Sequence, residues 1–271
     1  MRRKPDSPVD DLDDATLAFA HRLADAAGAV IRPYFRQRLA IVDKGKGAFD
    51  PVTAADRDAE AAMRALIRGE RPQDGILGEE HGLEEGTSDF RWVLDPIDGT
   101  RAFITGRPTW GTLIALENNG RPILGIIDQP FLRERFVGCR RRTEFHSPLG
   151  TTRLECRSCA SVADAVVSTT HPWSYFTPAE RRGFEAVCAR ARMSSFGGDC
   201  YAYALLAMGH LDVIIEATLS PWDVAALVPI VENAGGVLTD WGGAPTPEKG
   251  RIVAAGDPRV YAEVLEILTQ Y

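Results

Sequence analysis

The amino-acid sequence predicts two joined halves: an antiparallel-rich α+β half over residues 11–145 and an α/β half over residues 146–271. Two long apolar runs separated by turn residues predict a hairpin in the first half, whereas short strands alternate with helices in the second. Residues 1–10 are basic and contain proline, so we expect a frayed terminus there. A chain of 271 residues, 45% of them hydrophobic, is long enough to form one compact unit from both halves.

Two amphipathic helices open the first half. Apolar residues recur with a helical period over residues 11–36, which predicts one long helix. A second helix is predicted to begin near Thr53, because the sequence Thr-Ala-Ala-Asp resembles a capping box. Asp56 lies in the first turn of this helix. The predicted inner face consists of Ala59, Ala62, Met63, Leu66 and Ile67.

Strands follow these helices. Short apolar runs predict strands at residues 75–78 and 92–94, and the runs 110–116 and 122–127 flank an Asn-Asn-Gly turn and predict a hairpin. The Arg-rich stretch 140–157 carries no predicted element. In the second half, strands are predicted at 165–168, 211–216, 237–238 and 252–254, and helices at 178–190, 202–208, 221–234 and 258–269. We expect ligands to lie between the halves.

Composition restricts the possible partners. The chain has 31 lysine and arginine residues against 38 aspartate and glutamate residues, a formal charge of −7, which repels nucleic acid. A small phosphate would need a cation between itself and the protein. No segment is long and apolar enough to cross a bilayer. Five irregularly spaced cysteines without a signal-peptide core indicate reducing cytosol, and we interpret the lone CxxC pair, Cys156 and Cys159, as incidental.

The strongest local signal is an acidic turn within the sequence WVLDPIDGT, residues 92–100. An apolar strand delivers Asp95 at its end, and Pro96 and Gly99 force a turn that brings Asp98 back toward Asp95. Two carboxylates this close require a shared proton or a cation. Hard oxygen ligands favour Mg²⁺ over zinc or copper. An ordinary Asp-Pro-Gly turn is the alternative explanation.

Two further acids fit a metal site, although each has an ordinary structural explanation. Glu79 follows a short apolar run and precedes another glutamate, a pattern that is commonly a solvated turn. Asp223 lies in the first turn of a predicted helix, after Ser220 at the N-cap and Pro221 at the first position. The helix dipole stabilises an acid there without any metal.

Four motifs, taken in order, resemble the inositol monophosphatase superfamily of metal-dependent phosphatases. They are DPVTAAD at residues 50–56, GEE at 78–80, WVLDPIDGT at 92–100 and PWDVAA at 221–226. Four motifs at suitable spacing are far more specific than any one of them. The resemblance runs from about Asp11 to the C-terminus. It implies the layered αβαβα sandwich of the inositol monophosphatase and fructose-1,6-bisphosphatase type, and hydrolysis of a phosphate monoester.

The resemblance also implies a set of metal ligands. Glu79, Asp95 and the carbonyl group of Ile97 would bind one Mg²⁺. Asp95, Asp98 and Asp223 would bind a second, so that Asp95 bridges the two ions. A third, weaker ion would lie beside Glu79, giving two to three ions per active site.

The implied catalytic residues include Glu79 and four others. Thr100, oriented by Asp56, would help to polarise the attacking water. Lys46 and Asp50 resemble the family's lysine and aspartate near the metal site, and Lys44 is an alternative to Lys46.

Substrate contacts are predicted next to the metal ligands. A helix that begins after Gly99 would present backbone N–H groups to a phosphate. The residues expected to contact the substrate are Asp98, Gly99, Thr100, Arg101, Asp199, Glu216 and Asp223. The sequence has no GxxxxGK[ST] motif, so it offers no cradle for ATP-dependent transfer.

Asp199 and Glu216 bear on which phosphate is accepted. Asp199 begins a predicted helix and Glu216 ends a predicted strand, so a helix cap and a solvated strand end are the alternatives. Two carboxylates would stabilise a substrate that carries amino or imidazolium cations. Three stretches, together with Arg101, are most similar to the histidinol-phosphatase branch: DPIDGTRAFITG at residues 95–106, WGT at 110–112 and GGDCYAYALLAMGHLDVIIEATLSPWD at 197–223. That resemblance implies L-histidinol 1-phosphate as substrate, at the penultimate stage of histidine synthesis.

Other readings stay open at this point. An inositol-1-phosphate or related small-molecule phosphatase of broader specificity would use the same metals, and a nucleotide or sulfonucleotide phosphatase is a minor third. A metal or phosphate sensor would use the same scaffold without catalysis. His171 and Trp173 are candidates for the pocket wall, with packing as the alternative. The resemblance is also to proteins that are commonly homodimers, although the sequence identifies no interface.

Overall fold

The computed structural model describes residues 12–37, 42–43, 51–52, 54–245 and 250–271. Its α-helices within these ranges are α1 (Asp14–Ile31), α2 (Ala54–Glu70), α3 (Thr100–Ile104), α4 (Pro172–Tyr175), α5 (Pro178–Cys188), α6 (Asp199–Ala207), α7 (Pro221–Ala225), α8 (Leu227–Asn233) and α9 (Pro258–Leu268). Of the helices described, none is both long and apolar enough to span a membrane.

The strands in the same ranges are β1 (Val42–Asp43), β2 (Pro51–Val52), β3 (Gly75–Gly78), β4 (Gly82–Glu84), β5 (Phe90–Asp98), β6 (Gly111–Asn118), β7 (Arg121–Gln129), β8 (Glu134–Cys139), β9 (Arg142–Ser147), β10 (Gly150–Leu154), β11 (Val166–Thr169), β12 (Met193–Phe196), β13 (Val213–Glu216), β14 (Val237–Thr239) and β15 (Ile252–Ala255). Strands β1 and β2 pair with each other.

Two larger sheets organise the described chain. The first has eight strands in the order β10-β9-β8-β7-β6-β5-β3-β4, and its one parallel pair is β3 with β5. The second has five strands in the order β12-β11-β13-β15-β14, with β11 parallel to both of its neighbours. Side chains alternate between the two faces along each strand. Trp92 and Leu94 therefore enter one core, whereas Val93 enters another.

Five layers are held together by three apolar cores, the second of which covers both sides of the middle helical layer. The first core joins α1 and α2 to one face of the eight-stranded sheet. The second lies around α6, α7 and α8, between the two sheets. The third joins α5 and α9 to the outer face of the five-stranded sheet. This αβαβα order confirms the predicted sandwich.

Several predicted elements differ from the structure. Helix α1 ends at Ile31 rather than at residue 36. Pro33 lacks the N–H group that would continue the helical hydrogen bonds, although Arg32 before it keeps helical dihedral angles. The helix predicted over residues 221–234 is two helices, α7 and α8, which meet at Ala226. The half boundary predicted between residues 145 and 146 falls within β9, and the first sheet continues to Leu154.

Two glycines in register bring α8 unusually close to the first sheet. Gly125 of β7 pairs with Gly138 of β8. A Cβ atom at Gly125 would lie 2.0 Å from the Ala226 carbonyl oxygen, and one at Gly138 would lie 2.5 Å from the backbone of Pro229 and Ile230. Backbone therefore rests on backbone at this point, and the height of the α7–α8 pair above the sheet is set there.

Candidate active site

Neighbouring parallel strands bring the first two predicted metal ligands together. Gly78 at the end of β3 lies opposite Leu94 of β5, so the next residues, Glu79 and Asp95, are adjacent. The Glu79 backbone N–H donates a hydrogen bond to the Leu94 carbonyl at 3.2 Å, and the side chain of Glu79 lies close enough to that of Asp95 to raise the pKa of Asp95. Asp95 is buried.

The turn after Asp95 is held by its own hydrogen bonds. The Ile97 N–H donates to Asp95 Oδ1 at 3.1 Å, and the Thr100 hydroxyl donates to the Ile97 carbonyl at 3.2 Å. Gly99 has φ = 80°, and a Cβ atom there would lie 2.8 Å from the Asp199 side chain. Glycine is therefore required at this position both for its conformation and for the approach of Asp199. Helix α3 begins at the next residue, as the phosphate-binding prediction requires.

Asp95, Asp98 and Asp223 form what we call the acidic cluster. One carboxylate oxygen of each lies within 4.8 Å of the other two. The Cys200 N–H at the start of α6 donates to Asp98 Oδ2 at 2.6 Å, and the Ser220 N–H before α7 donates to Asp223 Oδ2 at 2.7 Å. Asp95 and Asp98 thus come from β5, whereas Asp223 comes from α7, far later in the sequence. Together with the Ile97 N–H bound to Asp95, a backbone N–H group orients each of the three acids.

Burial and mutual repulsion raise the pKa values within the acidic cluster. The pKa of Asp95 lies well above its ordinary value because the group is buried and because Glu79, Asp98 and Asp223 surround it. The pKa of Asp98 is raised by burial, then by Asp223 and Asp199. A site that opposes ionisation of its own acids favours a cation. Its donors are carboxylate and carbonyl oxygens, which fit Mg²⁺.

A cavity of about 480 Å³ opens beside the cluster. The charged side chains that line it in the described part of the chain are six carboxylates (Glu79, Asp95, Asp98, Asp199, Glu216 and Asp223) and one guanidinium (Arg101). Gly99 and Thr100 also line it. The structure therefore brings together every predicted metal ligand and every predicted substrate contact. An anion could enter this acidic cavity only together with cations.

Glu216 is a buried acid at the end of β13. Its carboxylate accepts hydrogen bonds from the Thr170 N–H at 2.7 Å, the Thr170 hydroxyl at 2.8 Å and the Thr169 hydroxyl at 3.2 Å. Burial nevertheless raises its pKa to about 7. A solvated strand end is therefore the wrong description of Glu216, because the strand ends inside the cavity rather than at the surface.

Asp199 lines the same cavity as Glu216 and is carried by α6. It is the first residue of α6, whose N-cap is Gly198, so the N-cap alternative is wrong. Its carboxylate accepts a hydrogen bond from the Thr109 hydroxyl at 3.1 Å and lies 4.0 Å from the Arg107 guanidinium. Burial raises the pKa of Asp199.

Other predicted residues lie elsewhere. Asp56 is buried in the first turn of α2 and is not among the described residues that line the cavity. Lys44, Lys46 and Asp50 lie outside the described residues. His171 and Trp173 flank the cavity without lining it: the side chain of Trp173 is 62% exposed, and its ring lies 5.8 Å from that of Phe196.

Sequence reasoning missed the wall formed by residues that follow β11. Thr170, Ser174 and Tyr175 line the cavity, and the Arg101 guanidinium lies 5.0 Å from the centre of the Tyr175 ring. The signal that could have found them is position, because β11 and β13 are parallel and end at the same edge of the sheet.

Comparisons with known proteins agree with this geometry. A family model described as "Inositol monophosphatase family" matches residues 12–271. The bifunctional phosphatase IMPL2 of Arabidopsis thaliana, a chloroplastic protein, is 45% identical over 94% of this chain and 75% of its own length. A histidinol-phosphatase from Mycobacterium tuberculosis is 37% identical over 89% of this chain and 93% of its own. The structure of an inositol monophosphatase from Zymomonas mobilis has a TM-score of 0.84 at 45% identity, covering 94% and 98% of the two chains.

Proposed function

The chain belongs to the inositol monophosphatase family, and we propose that it is a Mg²⁺-dependent phosphatase that hydrolyses L-histidinol 1-phosphate to L-histidinol and inorganic phosphate. One observation carries the phosphatase assignment: an acidic cavity in which Asp95, Asp98 and Asp223 converge within 4.8 Å. Such a cavity suits a reaction in which divalent cations stand between the protein and a phosphate.

The chain's own oxygens would hold two or three Mg²⁺ ions. The proposed ligands are Glu79, Asp95, Asp98, Asp223 and the Ile97 carbonyl. Bound Mg²⁺ would neutralise charge on the phosphate and lower the pKa of a water molecule. The carbonyl of Ile97 accepts a hydrogen bond from Thr100. A carbonyl oxygen has two lone pairs, so the same atom could also bind a metal.

The remaining roles belong to the turn and to α3. Thr100 lies where its hydroxyl meets both the Ile97 carbonyl and the cavity, which supports a part in orienting the attacking water. We propose that buried Asp56 acts on this water through Thr100, and that Lys46 and Asp50 complete the site. Hydrolysis then consumes one water, breaks the phosphate ester bond and returns the proton to the leaving alcohol.

The choice of histidinol phosphate as substrate rests on Glu216 and Asp199, two cavity acids outside the acidic cluster and the Glu79 site. The Glu216 carboxylate accepts three hydrogen bonds from threonines, out of roughly four that it could accept. Its pKa is about 7, and a cation nearby would lower that pKa and so favour the ionised form. Histidinol phosphate carries an ammonium cation and an imidazole that gains a proton near about pH 6.5, whereas inositol phosphate carries no cationic group. The 37% identity to a histidinol-phosphatase supports the same choice.

A substrate panel tests the assignment. Phosphate release from L-histidinol 1-phosphate and from inositol 1-phosphate would be measured with purified protein at several Mg²⁺ concentrations. We expect kcat/KM to be at least about tenfold higher for histidinol phosphate, since one charge-assisted contact contributes about 1.4 kcal/mol or more. Comparable values would defeat the histidinol assignment, and no Mg²⁺-dependent release from any phosphate ester would favour a non-catalytic sensor.

The variant Glu216→Gln locates the specificity. We expect it to lower kcat/KM for histidinol phosphate about tenfold while changing that for inositol phosphate less than about twofold, because only the first substrate offers a cation. The neutral substrate is the internal control. Equal losses on both substrates would remove Glu216 from a role in specificity.

Inositol 1-phosphate is the second candidate substrate. The 45% identity to the Zymomonas inositol monophosphatase favours it, as does the equal identity to a plant phosphatase described as bifunctional. The same panel decides between a specific enzyme and one of broader range.

A further inference from the structure

Helix α2 buries a stripe of charged side chains. Asp56, Glu60 and Arg64 follow one another at four-residue spacing, which places them on one face of the helix. Their exposed fractions are 1%, 0% and 2%. Charged side chains are almost never buried this completely unless they are paired. The burial of these three charged side chains on α2 therefore requires an explanation.

Glu60 lies against the turn that carries Glu79. Its Oε2 accepts a hydrogen bond from the Glu80 backbone N–H at 2.7 Å, and its Oε1 accepts one from the His81 backbone N–H at 3.2 Å. These are the two peptide groups directly after Glu79. The Glu60 carboxylate thus holds the outgoing side of that turn.

The residue before Glu79 is held just as closely. A Cβ atom at Gly78 would lie 2.1 Å from Glu60 Oε1 and 2.4 Å from its carboxyl carbon. The Glu60 carboxylate therefore packs directly on the Gly78 backbone. Since Gly78 also pairs with Leu94, the incoming side of the turn is fixed between α2 and β5.

Arg64 completes the support one helical turn further on. Its Nε donates to Glu60 Oε1 at 2.7 Å, its NH2 group donates to the Gly82 carbonyl, and its NH1 group donates to Glu84 at 3.3 Å. The arginine neutralises Glu60 and binds the far end of the same turn. A buried ion pair gives little stability by itself. The Glu60–Arg64 pair is therefore better explained by its contacts with the turn that follows Glu79.

We propose that Glu60 is a positioning residue for the metal ligand Glu79. By binding the two peptide N–H groups that follow Glu79 and by packing on the Gly78 backbone before it, the Glu60 carboxylate keeps the Glu79 side chain next to Asp95, where a cation would need both. The proposal rests on the proposed metal-dependent function, and it extends that function to a residue which does not line the cavity.

Glu60→Gln tests the proposal, with Glu117→Gln as the matched control. Like Glu60, Glu117 is a buried glutamate that pairs with an arginine, Arg91 at 2.7 Å, and does not line the cavity. Unlike Glu60, it lies on β6, opposite Arg91 of β5. We expect Glu60→Gln to weaken Mn²⁺ binding about tenfold or more, measured by electron paramagnetic resonance, and to raise the Mg²⁺ concentration for half-maximal activity by the same factor. Glu117→Gln should change both values less than about twofold. Equal metal affinities in the two variants would overturn the proposal.

A second pair of variants guards against misfolding. Glu60→Gln combined with Arg64→Met removes both buried charges, which is commonly neutral for stability, and we expect the same loss of Mn²⁺ affinity. In a Glu79→Gln background, Glu60→Gln should cause less than about a twofold further loss, because the residue through which it acts is already gone. A full tenfold further loss would show that Glu60 acts elsewhere. Because Mn²⁺ binding needs no turnover, these results stand apart from the substrate assay, whose failure would instead count against the proposed function.

Discussion

Two regions of this molecule bury carboxylates in opposite ways. Away from the cavity, Glu60 lies 2.7 Å from an Arg64 nitrogen, and Asp212 lies 2.7 Å from an Arg157 nitrogen. In the acidic cluster, the nearest charges that shift the pKa of Asp95 are other acids. The acids away from the cavity are neutralised by arginine side chains of the same protein, whereas the acids of the cluster surround one another.

The difference separates acids that the protein neutralises with its own arginines from acids that it places among other acids. An internal arginine neutralises an acid permanently, and breaking such a pair leaves an uncompensated buried charge. A cluster with excess acid can be neutralised only by protons or by an exchangeable cation. The same physics therefore predicts opposite consequences when one acid is made neutral in each region.

The largest effect is expected at Asp98. Asp98→Asn should lower kcat more than about 100-fold, beyond the usual loss for a residue that merely supports a metal ligand. It should also raise Tm in metal-free buffer, since asparagine carries no charge to bury or to repel Asp223. Phosphate release at saturating Mg²⁺ and thermal unfolding in EDTA measure the two changes. Unchanged activity would overturn the proposed metal ligands.

The next effect concerns pH and Glu216, a cavity acid held by threonines. Its pKa is raised by burial from 4.5 to about 7, so the folded state binds the proton more tightly than the unfolded state does. The resulting stability is complete below pH 4.5 and is lost as pH rises through about 7. Across this window, the free energy of unfolding of the wild type should fall relative to Glu216→Gln by about 3 kcal/mol. Chemical denaturation in EDTA between pH 4 and 8 would show this, and parallel curves would contradict it.

The smallest effect is expected at Asp212, whose side chain is fully buried. Asp212→Asn removes the charge that binds Arg157 and weakens the hydrogen bond from the Val166 N–H at 2.7 Å. We expect a loss of about 2 kcal/mol in the free energy of unfolding. The Mg²⁺ dependence of activity should stay as in the wild type. A change in that dependence would show that the Asp212–Arg157 ion pair is coupled to the metal site, and would weaken the comparison.

Sequence patterns located the elements that bury apolar side chains. Strand β3 was predicted at its observed bounds, and the β6–β7 hairpin follows from apolar runs around Asn119-Gly120. The acidic turn was also visible, because Asp95 and Asp98 sit on either side of a proline at the end of an apolar strand. Order along the chain cannot show that Asp223 joins them, so that step depended on resemblance to a family.

Polar edges and buried charges escaped prediction. Strand β10 is an edge strand and exposes most of its side chains, and the side chains of β9 beside it are mostly half-buried polar residues, so neither strand shows an apolar alternation. The inner face of α2 was predicted to be apolar, but Glu60 and Arg64 are buried there while Ala62 and Leu66 are only half-buried. Helical periodicity assumes that charges face water. It cannot detect a charge that is satisfied by a turn 20 residues away.

The paired glycines beneath α8, Gly125 and Gly138, bear on which amino-acid substitutions would change the position of Asp223. Asp223 is carried by α7, which packs on β5, the strand that carries Asp95 and Asp98. Contact of main chain with main chain at Gly125 and Gly138 acts as a spacer of fixed thickness. Apolar residues elsewhere can change in size without altering the gap that the three aspartates must span. A single added methyl group at either glycine would widen it.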